Sequence, residues 1–257
     1  MGSTQLLNEA TLLFEEHKYS EAIQKLEQIV FENPTFYPAY NILGCFLLSQ
    51  GLLDEAEEYF RKMLEINPAL PEGHNNLGYL YLRKGDFNKA EKIFLQRLEH
   101  DKDDIEVLNN LALLYKYQKK YPKAVKNLKR VIELNPKAIE AYNNLGCILK
   151  EQQLYEEALE EFTRALEIDP EDIEALNNIA CTYKALHKPA RAVSYFETAL
   201  RLNPSDETIN FNLGITFSEM GNKEKALEQF KEYLRNTKDG YHADQVTNWI
   251  HRLENVR

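Results

Sequence analysis

The sequence predicts an all-α solenoid, a series of helix pairs repeated along one axis. Three observations predict it. Alanine recurs every 34 residues, at Ala22, Ala56, Ala90, Ala124, Ala158, Ala192 and Ala226. Proline follows on the same step at Pro34, Pro68, Pro136, Pro170 and Pro204, and the slot is filled otherwise only at Lys102 and Lys238. Each period also holds two stretches whose apolar residues fall at helical spacing. A fixed period of this length marks a repeat array, in which each repeat buries its apolar face against its neighbours.

Counting position 1 of each repeat from 31 residues before the proline slot divides the chain. Seven repeats result: 3–36, 37–70, 71–104, 105–138, 139–172, 173–206 and 207–240, followed by a tail, 241–257. The first helix of a repeat carries its stripe at positions 4, 7, 8 and 11, as Tyr142, Leu145, Gly146 and Leu149 show. That is the i, i+3, i+4, i+7 pattern of an amphipathic helix. Position 8 is always small: Ala10, Gly44, Gly78, Ala112, Gly146, Ala180 and Gly214. Glycine inside a helix costs about 1 kcal/mol against alanine, so a neighbouring helix must come close there. The second helix carries positions 20, 24, 27 and 28, as in Ala192, Phe196, Ala199 and Leu200. Gly51, Gly85-Asp86 and Gly221-Asn222 mark turns between the two helices. The proline slot ends the second, because proline cannot continue the hydrogen-bond ladder.

At these residues the chain resembles the tetratricopeptide repeat family. Leu77-Gly78, Tyr81, Ala90 and Phe94 match its pattern, as do Tyr142, Leu145-Gly146, Ala158, Phe162, Ala165 and Pro170. The resemblance implies antiparallel helix pairs in a right-handed superhelix, with a concave groove lined by first helices that binds a protein or peptide partner. Departures from the pattern carry their own expectations. Glu9 stands where leucine is usual, so repeat one reads as a worn end cap. Arg97, His100 and Lys102 replace alanine, an apolar residue and proline, so the second helix of repeat three runs on through 100–104 or the stack loosens there. Repeat seven departs at Asn210, Tyr233 and Lys238. In the tail, Val246, Trp249, Ile250 and Leu253 share one helical face and predict a capping helix, with Trp249 a packing residue.

A helix turns 100° per residue, so positions 2, 5, 6, 9, 12 and 13 point away from the stripe. The resemblance makes that side the groove. Position 6 is asparagine in six repeats (Asn8, Asn76, Asn110, Asn144, Asn178, Asn212), and position 5 in five (Asn41, Asn75, Asn109, Asn143, Asn177). Mid-helix asparagine costs roughly 0.5 kcal/mol or more against alanine, which asks for a reason. An amide carries a donor and an acceptor and pairs with any peptide backbone. One reading is a ladder gripping an extended partner; the other is hydrogen bonding between helices. Position 9 holds Thr11, Cys45, Tyr79, Leu113, Cys147, Cys181 and Ile215, read as a groove floor. Position 12 is apolar in three repeats (Phe14, Leu48, Leu82) and lysine in the next three (Lys116, Lys150, Lys184). That division suits a partner with an acidic segment, or else the lysines complement helix dipoles, as Glu72, Glu106, Glu140 and Glu174 do in the first turns. The family clamp for a free C-terminus pairs lysine at position 5 with asparagine at position 9, and no repeat has that pair.

Other functions find little support. A net charge of -10 disfavours nucleic acid and anionic membranes. No apolar run is long enough to span a bilayer, and no secretory leader is present. Three cysteines suggest no disulfide framework. A cytoplasmic protein is expected; Met1-Gly2-Ser3 reads as an expression scar, which leaves open a periplasmic or anchored form whose leader was removed. There is no phosphate-cradling glycine loop, no metal-ligand spacing and no catalytic Cys/His arrangement, so neither cofactor, metal nor enzyme activity is expected. The leading expectation is a non-catalytic adaptor. A self-assembling scaffold and the regulatory part of a larger enzyme are the alternatives.

Overall fold

The computed structural model describes residues 2–237 and 243–255, so Lys238, Gly240 and His242 lie outside the described residues. Fifteen α-helices and no strand occur among them. The first helices of the repeats are α1 (Ser3–Glu15), α3 (Tyr37–Ser49), α5 (Pro71–Arg83), α7 (Ile105–Tyr117), α9 (Ile139–Glu151), α11 (Ile173–Ala185) and α13 (Glu207–Glu219). The second helices are α2 (Tyr19–Glu32), α4 (Leu53–Ile66), α6 (Phe87–His100), α8 (Tyr121–Leu134), α10 (Tyr155–Ile168), α12 (Pro189–Leu202) and α14 (Lys223–Asn236). The tail forms α15 (Ala243–Asn255). The helices group into two compact units, residues 1–130 and 131–257, divided within α8.

The turn inside each repeat is one motif used seven times. Position 15 has positive φ at His17, Gly51, Gly85, Lys119, Gln153, His187 and Gly221. Its N–H and the next one return to carbonyls of the last helical turn; Gly51 donates to Leu48 and Leu52 to Leu47, at 3.1 and 3.0 Å. This is a Schellman cap, and it satisfies carbonyls that the helix end would otherwise orphan. The turn between repeats rests on the residue before the proline slot. Asn67 Oδ1 accepts from the Ala69 N–H at 3.0 Å, Asp101 from Asp103 at 3.1 Å and Asp169 from Glu171 at 2.9 Å. Because this Asx turn does not need the proline, Lys102 leaves it intact.

All seven position-20 alanines are fully buried, as is Phe or Leu at position 24. The small residue at position 8 answers that bulk. A Cβ added to Gly44, Gly78, Gly146 or Gly214 would lie 2.4–2.5 Å from the ring of Phe60, Phe94, Phe162 or Phe230. Where position 24 is leucine, at Leu26 and Leu128, position 8 is alanine, at Ala10 and Ala112. Burial on the first helix is wider than its sequence stripe. Position 3 (Ala39, Val107, Ala141, Ala175, Ile209) and position 10 (Leu80, Leu114, Ile148, Thr182, Thr216) are buried as well. They serve the side on which each first helix meets the second helix of the preceding repeat, as α5 meets α4 and α11 meets α10.

The second helix of repeat three does not run on through 100–104. α6 stops at His100 and α7 starts on schedule at Ile105. Arg97, standing in for alanine, reaches Asp104, with Nε 2.9 Å from Oδ2 and side chains only 12% and 10% exposed. Asp104 also accepts the Val107 N–H at 3.1 Å and so caps α7. One ion pair thus fixes the spacing that alanine and proline fix elsewhere. At the other end, Val246 is fully buried in the cluster around Phe230, and Trp249 lies 5.8 Å from the Phe211 ring and 5.4 Å from that of Phe230. Trp249 packs the last repeat.

Repeats two and three are joined by Glu57 of α4. It accepts from Arg61 Nε at 2.8 Å, from the Tyr81 hydroxyl at 2.6 Å and from Lys84 Nζ at 2.5 Å. Burial alone would raise its pKa, but the bonds from Lys84, Tyr81 and Arg61 outweigh that and lower it to about 2. A carboxyl depressed in the fold stabilises fully above its unfolded value and loses that contribution as pH falls through the folded value. Acidifying from pH 5 towards pH 2 is therefore expected to cost about 1.5 kcal/mol through this group, after allowance for solvent screening. Urea melts of Glu57→Gln should show a flatter acid limb than wild type; parallel limbs would contradict the assignment.

Candidate functional site

In the first unit α3 touches α5 and α5 touches α7, and in the second α9 touches α11 and α11 touches α13. Consecutive second helices within a unit make at most marginal contact among the described residues. First helices therefore form the tighter side of each unit, and their outward residues make a polar strip.

The strip contains a motif that occurs in both units. Asn76 Nδ2 donates to Asn41 Oδ1 of the preceding repeat at 2.6 Å and approaches Cys45 Sγ at 3.6 Å. The Cys45 thiol is itself 3.8 Å from Asn41 Oδ1. In the second unit Asn212 Nδ2 donates to Asn177 Oδ1 at 3.3 Å and lies 3.8 Å from Cys181 Sγ, which is 3.9 Å from Asn177 Oδ1. Cys45 and Cys181 are thus parts of a hydrogen-bonded seam and not only a floor, a role invisible until positions 5, 6 and 9 are brought together. Burial pushes both thiols up, which keeps them as weakly reactive neutral thiols.

Three asparagines do not face a ligand. Asn75 and Asn143 are 2% exposed and donate to Glu106 Oε2 of the next repeat at 2.8 Å and to Asp172 Oδ2, the cap of the next first helix, at 2.7 Å. Asn178 is 8% exposed and accepts from Lys150 Nζ at 3.3 Å. The reason is the width of the buried arc: a first helix flanked on two sides leaves position 5 of repeats three and five, and position 6 of repeat six, in the seam. Position 12 is corrected too. Leu48 and Leu82 are buried and offer nothing to a groove, while Phe14 stays half-exposed and packs 5.3 Å from the Phe46 ring. Lys184 Nζ lies 3.6 Å from Glu219, and Lys116 also has an interaction within the protein.

Tyr79, Leu113, Asn109, Asn110 and Asn144 remain half-exposed, and Asn8 is exposed. Asn8, Asn110 and Asn144 have no side-chain partner among the described residues, so their amides are free to bond elsewhere. No group of three or more His, Cys, Asp or Glu among the described residues could hold a metal ion. No helix among them is long and apolar enough to cross a membrane.

Tetratricopeptide repeat family profiles match residues 7–71, 47–114, 103–171, 137–205 and 177–241, which together span nearly the whole chain. No functionally curated protein matches the sequence significantly. Among solved structures, the fold is similar to a tetratricopeptide repeat protein from Parabacteroides merdae, with a TM-score of 0.76 at 21% identity over 98% of this chain and 99% of that one. It is similar to yeast Tom70, with a TM-score of 0.77 at 17% identity over 98% of this chain and 53% of Tom70. It is also similar to a chain of the APC/C hetero-tetramer Cut9–Hcn1, with a TM-score of 0.71 at 14% identity, covering 98% of this chain and 52% of that one.

Proposed function

Because this chain belongs to the tetratricopeptide repeat family, whose members generally mediate protein–protein interactions, we propose that it is a non-catalytic adaptor that holds a segment of a partner protein against its first helices. The observation that carries this reading is the unspent amides on first helices, at Asn8 and Asn110 in the first unit, where Tyr79 and Leu113 are half-exposed, and at Asn144 in the second. A helix gains nothing from asparagine at these places, since alanine is the better helix former by roughly 0.5 kcal/mol. An amide that satisfies no group of its own protein has a donor and an acceptor for a passing backbone. The seam built by Asn41, Asn76, Asn177 and Asn212 holds neighbouring first helices in register and presents those amides on a firm base.

A photo-crosslinking residue at Tyr79, used in lysate of the source cell, is expected to trap a discrete partner. The same residue at Glu160, exposed on α10, is expected not to trap it. Asn110→Ala with Asn144→Ala should weaken capture several-fold while leaving the helical CD signal unchanged. Equal trapping at both sites, or capture indifferent to both substitutions, would remove the first-helix strip as the docking surface.

A further inference from the structure

The clefts between successive second helices recur along the array, yet they differ in charge. Between repeats one and two the cleft is lined by Glu27, Glu55 and Glu58 around Leu43 and Phe46. Between repeats two and three it has a volume of about 380 Å³ and is lined by Arg61, His74, Lys89 and Lys92 around Leu64 and Leu77, with no carboxylate in its wall. The fold is the same in both places, so the reversal of sign belongs to the sequence.

The reversal follows the repeat register. At positions 19 and 22 of the second helix, repeat three carries Lys89 and Lys92, and repeat four carries Lys123 and Lys126. Repeat two carries Glu55 and Glu58 there, and repeat five Glu157 and Glu160. All eight are exposed. Nearby acids neutralise only part of the cationic wall. Glu57 takes Arg61 at 2.8 Å, Asp86 takes Lys89 at 2.9 Å, and Glu91 lies 3.6 Å from Lys123. Lys92 and Lys126 have no partner among the described residues. His74 spends Nδ1 on the Leu70 carbonyl at 2.9 Å, which leaves Nε2 unused.

We propose that this cleft is a second docking site, distinct from the first-helix strip, and that it takes a short acidic segment of a partner protein with one apolar side chain as its anchor. The anchor would sit on Leu64 and Leu77, and flanking carboxylates would meet Lys89, Lys92 and His74, with Lys123 and Lys126 extending the cationic track onto the next repeat. The volume matches one or two side chains, at the small end of ligand pockets. A long polyanion fits worse, because a strand running along the second helices would meet Glu55 and Glu58 in the same unit.

The test uses the full chain and a short labelled peptide with one phenylalanine among glutamates, read by fluorescence anisotropy at low salt. Lys89→Glu with Lys92→Glu is expected to weaken binding at least about tenfold, and Lys225→Glu, at position 19 of repeat seven, to leave it unchanged. Changing the peptide's glutamates to glutamine should cost about as much, and changing its phenylalanine to alanine several-fold. Asn110→Ala with Asn144→Ala should have no effect, which separates this site from the first-helix strip. No binding by wild type, equal losses at Lys89/Lys92 and Lys225, or indifference to the phenylalanine would overturn the proposal. So would heparin binding as tightly as the peptide with the same dependence on Lys92.

Discussion

Truncating Phe162 to alanine should cost about 3–5 kcal/mol, read as a lower urea midpoint, because the ring is fully buried between its own first helix and the next repeat. Gly146→Ala should cost about 1–3 kcal/mol, since its new Cβ would sit 2.5 Å from that ring and a packed core yields little. The informative variant is the double one, Gly146→Ala with Phe162→Leu. Repeats one and four already use that combination, as Ala10 with Leu26 and Ala112 with Leu128, all buried. The double variant should therefore lose less than the two single changes together, with a favourable coupling of about 1–2 kcal/mol. Repeat six pairs Ala180 with Phe196, both buried, so a methyl is tolerated where the helices have settled around it. The penalty in repeat five belongs to a framework settled around glycine. Strict additivity in the double variant would show that positions 8 and 24 do not set each other's size.

The same pair explains why so much of the fold was legible. A 34-residue register fixes which residues share a face, and size constraints then repeat with it. Position 8 is small in every repeat because position 24 is large, and the helix starts follow the register from Ser3 to Glu207. What escaped the sequence reading was contact between repeats. Counting one helix alone gives one stripe, at positions 4, 7, 8 and 11. A helix held between two neighbours needs a wider arc, so positions 3 and 10 were missed and position 5 was assigned to the groove. Asn75 and Asn143 look like Asn109 in the sequence, but their donors are taken by carboxylates at the start of the next first helix. A signal was present: Glu106 lies 31 residues after Asn75 and Asp172 lies 29 after Asn143, roughly one period on. Arg97 with Asp104 was readable in the same way, as a charge replacing alanine seven residues before an aspartate, at the place where the proline is lost.

Position 15 leads to the other large effect. Four of its seven residues, His17, Lys119, Gln153 and His187, hold positive φ without being glycine. Left-handed backbone costs a residue with a Cβ roughly 1–2 kcal/mol, and glycine returns part of that through its greater freedom when unfolded. Lys119, Gln153 and His187 have no side-chain partner among the described residues, so nothing offsets the strain. Lys119→Gly, Gln153→Gly and His187→Gly should each stabilise by about 0.5–1 kcal/mol, and together by about 1.5–3 kcal/mol, because they share no partners. His17 is different: its Nδ1 lies 2.9 Å from the Tyr19 hydroxyl, and its ring packs edge-on to Tyr19 at 5.9 Å. His17→Gly gives up that contact and should be nearly neutral. In the reverse direction, Gly51→Ala should destabilise by about 1 kcal/mol even though no atom lies within 4 Å of the new Cβ. That separates backbone strain from crowding. Urea midpoints of the triple variant, of His17→Gly and of Gly51→Ala should fall above, near and below wild type. A triple variant weaker than wild type would mean that the Schellman turns hold these residues without strain.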